Sequence, residues 1–170
     1  MNLTNLRLMG FDIDGVMTDG RLWYSPRGDE MKAFFVRDGL GLKMLEQSGV
    51  RVAIITGRDS PIVAERARDL GIGLVRQGVR DKRAVMAEML TGLSLSPEEA
   101  GYMGDDVVDL AVMEACGFAA SVPDGHPLAR QRAHYVTQAP AGGGAVREVC
   151  ELILRAQGNW DAALGNCLAR

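Results

Sequence analysis

The chain has 170 residues, of which 47% are hydrophobic and 24% charged, with a net charge of −3. That length fits one domain with a substantial core, and that balance excludes wholesale disorder. The slight acidity leaves no electrostatic footprint for nucleic acid, so an anionic ligand has to meet a local basic cluster.

Met1 to Arg7 is polar and the apolar run behind it, Leu8 to Phe11, is short. Neither a signal peptide nor a membrane span is read here, and a cytoplasmic protein with no membrane partner is expected. Cys116, Cys150 and Cys167 match no zinc or redox spacing, which agrees with reduced thiols.

The first strand is read over Leu6 to Asp12, followed by a turn at Asp14-Gly15. Arg21 to Tyr24 and Glu30 to Val36 read as two strands of a hairpin (about 20–36), joined by the turn chemistry of Ser25-Pro26-Arg27-Gly28-Asp29. From Gly39 the apolar period becomes helical and closes at Gly49. Val50 to Ile55 is a β-branched run suited to a strand buried on both faces. Ser60-Pro61 opens a helix that ends near Gly71, with Ile72 to Val75 as the next strand.

Asp81 caps a helix to about Leu90, and Ser96-Pro97-Glu98-Glu99 starts a short one. Gly101 to Met103 is a strand, Asp106 to Cys116 a helix, and Phe118 to Ala120 a strand. His126 to Gln131 is a short helix and Tyr135-Val136 a final strand. Gly142-Gly143-Gly144 precedes a last helix, Ala145 to Ala156, with Arg147 and Glu148 on an exposed face. The tail, 158–170, reads as irregular and mobile.

Alternating strands and helices predict an α/β fold: one domain over 1–170, with a Rossmann-like, doubly wound parallel sheet. The hairpin follows strand one, and no segment is long enough for a large cap domain. In such sheets ligands sit at the carboxyl ends of the strands.

Chemistry-bearing residues fall at those ends. Strand one ends in Asp12-Ile13-Asp14-Gly15, two carboxylates whose burial is costly unless they are paired or metal-bound. The next central strand ends in Thr56-Gly57-Arg58, a hydroxyl, an amide and a guanidinium suited to a phosphoryl group. Lys82 starts a helix and supplies a point charge. Gly104-Asp105-Asp106, with Asp109 behind it, is a second acidic cluster; together with Asp12 it forms an all-oxygen site suited to Mg²⁺. Singly, each piece also fits turn capping or a helix start. Their coincidence at strand ends points to chemistry.

In this order the four pieces resemble the motifs of the haloacid dehalogenase superfamily of phosphatases. The resemblance implies that Asp12 is the nucleophile and Asp14 the general acid and base, with Thr56 and Lys82 as catalytic partners. It further implies that Mg²⁺ is held by Asp12, Asp14 through its backbone carbonyl, and Asp105. Asp106 and Asp109 would orient the metal surroundings, though a charge in a helix first turn explains Asp109 equally well.

A narrower resemblance rests on 32–39, Ile54-Ile55-Thr56-Gly57-Arg58, His126-Pro127-Leu128 and 144–150. These segments are similar to the 3-deoxy-D-manno-octulosonate 8-phosphate phosphatases of lipopolysaccharide precursor synthesis. That likeness implies a homotetramer in which hairpins pack together and neighbouring chains help close each site. It implies substrate contacts at Asp14, Phe35, Val36, Arg37, Asp38, Gly39, Lys43, Arg58, Arg66 and Lys82.

Phe35 stands where that family commonly has asparagine, and Lys43 where arginine is common; lysine keeps the charge and loses the bidentate fork. Without the likeness, Arg37 reads as an ion pair with Asp38 or Asp19. Arg66 lies on the helix after Arg58 and could face the same site, or belong to the charged run around it. His126 reads as structural. A phosphatase of a related nine-carbon sugar acid, and a non-catalytic member of the fold, are the competing readings.

Overall fold

The computed structural model describes residues 3–27 and 30–169. The predicted turn residues Gly28 and Asp29 lie outside them. Six parallel strands form the main sheet: β1 (Leu8–Phe11), β4 (Arg51–Ile55), β5 (Leu74–Arg76), β6 (Ala100–Met103), β7 (Phe118–Ser121) and β8 (Tyr135–Val136). Their order is β5-β4-β1-β6-β7-β8. β2 (Trp23–Tyr24) and β3 (Glu30–Met31) form a separate antiparallel hairpin after β1. The helices are α1 (Val36–Gln47), α2 (Pro61–Leu70), α3 (Lys82–Leu93), α4 (Leu110–Ala115), α5 (Pro127–Arg132), α6 (Ala145–Ala156) and α7 (Trp160–Leu168).

The strands alternate strictly between two cores. Met9, Phe11, Val52, Ile54, Met103 and Phe118 face α1, α2, α6 and α7. Leu8, Ala53, Ile55, Tyr102 and Ala119 face α3, α4 and α5. A period of two with apolar residues on both faces is what a central parallel strand needs. No described helix is long and apolar enough to cross a membrane.

Several boundaries differ from the sequence reading; β1 is shorter than Leu6 to Asp12, and α4 starts at Leu110 rather than Asp106. The return strand of the hairpin stops at Met31, and α1 begins at Val36 rather than Gly39. Asp38 explains that early start: its carboxylate accepts from the Arg147 amide of α6 at 2.8 Å, locking this turn onto a neighbouring helix. β5 runs Leu74–Arg76, further along than expected. The tail is helical, because Ala163 inserts into the core and Arg155 lies 4.0 Å over the Trp160 ring. On α6, Arg147 and Glu148 are half-buried rather than exposed. Glu148 accepts from Tyr135 Oη at 2.7 Å and from the Ala139 amide at 2.9 Å.

Ile54 is fully buried beside β1. Ile54→Ala is expected to lower unfolding stability by about 2–5 kcal/mol, measured by urea denaturation, because the rigid sheet cannot collapse into the void.

Candidate active site

Asp12 is the residue at which β1 ends. Its amide donates to the Met103 carbonyl at 3.0 Å, and its own Oδ1 accepts from the Ile13 amide at 2.7 Å. The chain then folds into a tight turn closed by Thr18 N donating to Ile13 O at 3.0 Å. Gly15 sits in that turn with φ +90°, a left-handed conformation that disfavours side chains. A Cβ at Gly15 would also collide with the Asp105 carboxylate. The glycine therefore both makes the turn and admits a second acid against it.

Lys82 opens α3, whose N-terminus is capped by Asp81 Oδ1 accepting from Ala84 N at 2.9 Å. Its buried ammonium donates to Asp12 Oδ2 and to Asp109 Oδ1, both at 2.6 Å. Asp109 is fully buried, and Tyr102 Oη lies 3.3 Å from the same Oδ1. Its Oδ2 accepts from the amides of Asp105 and Asp106 at 3.1 and 3.2 Å. Both oxygens of Asp109 are thus engaged, and it straps the loop after β6 in place.

The site is short of positive charge. Burial first, then the charge of Asp109, pushes the Asp12 carboxyl up to about 6 in spite of Lys82. Burial, followed by Asp109, Asp12 and Asp106, pushes Asp105 up to about 7. Burial opposes the Lys82 charge too, yet Asp12 and Asp109 together hold its pKa above the usual value. Oxygens of Asp12, Asp105 and Asp109 lie within 4.8 Å of one another, and Asp105 Oδ1 is buried with no hydrogen-bond partner. Crowded carboxylates with an idle oxygen fit a hard divalent cation. Both oxygens of Asp12 and of Asp109 already accept hydrogen bonds, so Asp105 Oδ1 is the buried oxygen of the three acids left without one.

Asp12, Asp14, Thr56, Gly57, Arg58, Val79, Arg80, Lys82 and Val108 line a cleft of about 360 Å³ over these groups. That volume suits a phosphorylated small metabolite. Asp14 is gripped from the hairpin side: Lys32 Nζ donates to its Oδ1, and Arg58 Nε lies 3.6 Å from its Oδ2. Arg58 in turn donates to Tyr24 Oη at 2.6 Å and to Glu30 at 3.3 Å. Tyr24, Glu30 and Lys32 were not singled out from the sequence. Their partners are remote in the chain, and no local spacing marks them.

Other expected site residues lie elsewhere in the single chain. Asp38 is buried where α1 meets α6, and Gly39 lies against Arg66 and Leu70. Arg66 points back to the Phe34 ring, 5.5 Å away, rather than along α2 to Arg58. Arg37 lies 4.8 Å over the Phe35 ring instead of pairing with Asp19, and Val36 is 80% exposed. Lys43 borders a separate surface hollow with Glu46 and Asp69. Asp106 is exposed and caps the turn after β6 by accepting from Val107 N at 2.7 Å. His126 is structural: its amide donates to the Asp105 carbonyl at 2.7 Å and its Nδ1 caps α5.

No protein-family model matches the chain. A 3-deoxy-D-manno-octulosonate 8-phosphate phosphatase of Yersinia pestis is 47% identical over 161 residues, covering 95% of this chain and 86% of that protein. The crystal structure of the Moraxella catarrhalis phosphatase of the same name, in complex with magnesium, phosphate and KDO, superposes with a TM-score of 0.95. It is 44% identical and covers 97% of this chain and 95% of its own. A Legionella pneumophila structure described as a haloacid dehalogenase superfamily hydrolase matches at TM-score 0.96 and 36% identity, over 99% and 93% of the two chains.

Gly15→Ala is expected to displace Asp105 and weaken Mg²⁺ binding by about 10- to 100-fold in calorimetric titration, with secondary structure retained.

Proposed function

The chain belongs to the 3-deoxy-D-manno-octulosonate 8-phosphate phosphatases of the haloacid dehalogenase superfamily, and from that premise we propose that it hydrolyses 3-deoxy-D-manno-octulosonate 8-phosphate to KDO and phosphate. The observation that supports this most directly is the meeting of Asp12, Lys82 and Asp105 beneath a cleft that Thr56, Arg58 and Asp14 also line.

In this reading Mg²⁺ is held by the carboxylates of Asp12 and Asp105 and by the Asp14 main-chain carbonyl. When bound it screens the charge between anionic nucleophile and anionic ester. Every other step belongs to the chain. Asp12 attacks phosphorus, the bond to the sugar oxygen breaks, and an aspartyl-phosphate forms. Asp14 donates a proton to the departing alkoxide, then takes one from the water that hydrolyses the intermediate. Lys82 holds Asp12 in line by a 2.6 Å bond and, with Thr56, stabilises the phosphoryl oxygens. Arg58 stands at the mouth of the cleft, where it can meet the rest of the substrate.

The cleft has no cap domain over it, so selectivity must come from the hairpin and from a second copy. Trp23 and Met31 of the hairpin are 54% and 62% exposed, a large apolar load for two short strands. Phe34 and Phe35, by contrast, are partly buried on their own chain. We read the enzyme as a cytoplasmic homotetramer with its hairpins packed together; the exposed hairpin supports the packing, and the family likeness the count of four. Arg37, Val36 and Lys43, all outside their own chain's cleft, would act only across a subunit boundary.

Phosphate release should require Mg²⁺, stop on chelation, and be lost in Asp12→Asn, by at least about 10⁴-fold. A substrate panel read by the same assay decides the sugar: faster turnover of a nine-carbon acid 9-phosphate would overturn the choice made here. Light scattering should give four chain masses in solution, and a strict monomer would remove the interface reading.

A further inference from the structure

Lys32 has no part in the chemistry above, yet its surroundings are those of a built contact. Its side chain is 1% exposed, and its ammonium meets Asp14 Oδ1 and, at 3.3 Å, Glu30 Oε1. Burying an ammonium is costly unless carboxylates surround it, and a solvated lysine on the rim of a hairpin would avoid that cost. Glu30 is itself tied to Arg58 at 3.3 Å. Asp14, Lys32, Glu30 and Arg58 make a chain of alternating charges that ties the hairpin to the turn after β1 and to the loop after β4.

Asp14 needs such a contact. It lies in the tight turn ahead of left-handed Gly15, and its Oδ2 is buried without a hydrogen bond, with Arg58 Nε 3.6 Å away. Asp12 is pinned by its neighbour's amide and by Lys82, and Asp109 by two amides, whereas the Asp14 carboxylate is held from the hairpin. A carboxyl that must deliver a proton to one departing oxygen loses rate steeply when its orientation is loose.

We propose that Lys32 is the positioning residue that fixes the Asp14 carboxyl for proton transfer, engaging Oδ1 so that Oδ2 carries the proton to the leaving oxygen. The inference rests on the reading of Asp14 as the proton donor. In the step concerned, the phosphorus–oxygen bond to the sugar breaks as the bond to Asp12 forms, and the proton passes from Asp14 Oδ2 to the sugar oxygen. Asp14 regains a proton from water in the hydrolytic step. The hairpin thereby becomes part of the catalytic apparatus.

Leaving-group dependence tests this. A sugar oxygen needs the proton, while p-nitrophenolate departs well without it. Because kcat/KM reports only steps up to the aspartyl-phosphate, the shared hydrolytic step does not mask the difference. Lys32→Met should lower kcat/KM for the sugar phosphate about 10- to 100-fold and that for p-nitrophenyl phosphate by less than about threefold. Asp14→Asn should show the same selective loss more strongly, and adding Lys32→Met to it should change little further. Where Lys32→Met does not fold by circular dichroism, Lys32→Gln carries the same comparison.

Equal losses on both esters, or on neither, while Asp14→Asn remains selective would overturn the role of Lys32 alone. Absence of selectivity in Asp14→Asn would overturn the proton-donor reading and this inference with it.

Discussion

A buried ammonium bonded to two carboxylates organises the centre of this protein. Lys82 belongs to α3, Asp12 to the end of β1, and Asp109 to the segment leading into α4, so one cation fixes three separately packed elements. Removing one partner from such a cluster typically costs about 3–5 kcal/mol, because an uncompensated charge stays behind in the interior. The cluster is also incomplete by design. Three acids share a single lysine, and burial, compounded by their mutual charge, pushes the carboxyls of Asp12 and Asp105 upward. A divalent cation relieves that crowding, so the fold stores in its own electrostatics the tendency to bind one.

Topology explains how so few residues suffice. β1 lies between β4 and β6, and all are parallel, so their carboxyl ends emerge side by side on one edge. Asp12, Thr56 and the Asp105 loop are the first residues past those strands. The chain leaves β1 toward β4 in one half and returns beside it with β6 in the other, which opens a crevice there. Helix packing on both faces leaves little freedom at the strand ends, and short side chains can then be placed accurately.

Most of the alternating architecture was legible because burial on both faces leaves continuous apolar runs such as Val52 to Ile55. The convergence of Asp12, Thr56, Lys82 and Asp105 was legible for a related reason: each stands where an apolar run stops, and polar groups there have nowhere else to go. What escaped was long-range. Lys32 is buried only because Asp14 and Glu30 are brought to it, and nothing in Met31-Lys32-Ala33 announces that. The family likeness implies a substrate contact at Asp38; within the chain its carboxylate accepts from the amide of Arg147, over a hundred residues away, which no local pattern announces. Within the single chain Arg66 lies 5.5 Å over the Phe34 ring, a partner that helical spacing does not reveal. The tail was read as irregular, yet Ala163 enters the core and Trp160 and Cys167 pack against it, which gives α7 its seat.

Among the described residues, the hairpin is held internally by two residue pairs, Trp23 with Met31 and Tyr24 with Glu30. So small a ribbon is marginal alone in water, and its order derives from the tethers to Arg58 and Asp14. Such a part can be exchanged without disturbing the sheet. Evolution or an engineer can rewrite this short excursion, provided its acid and its lysine still land on those two groups, and so redirect an unchanged hydrolytic engine toward other phosphate esters.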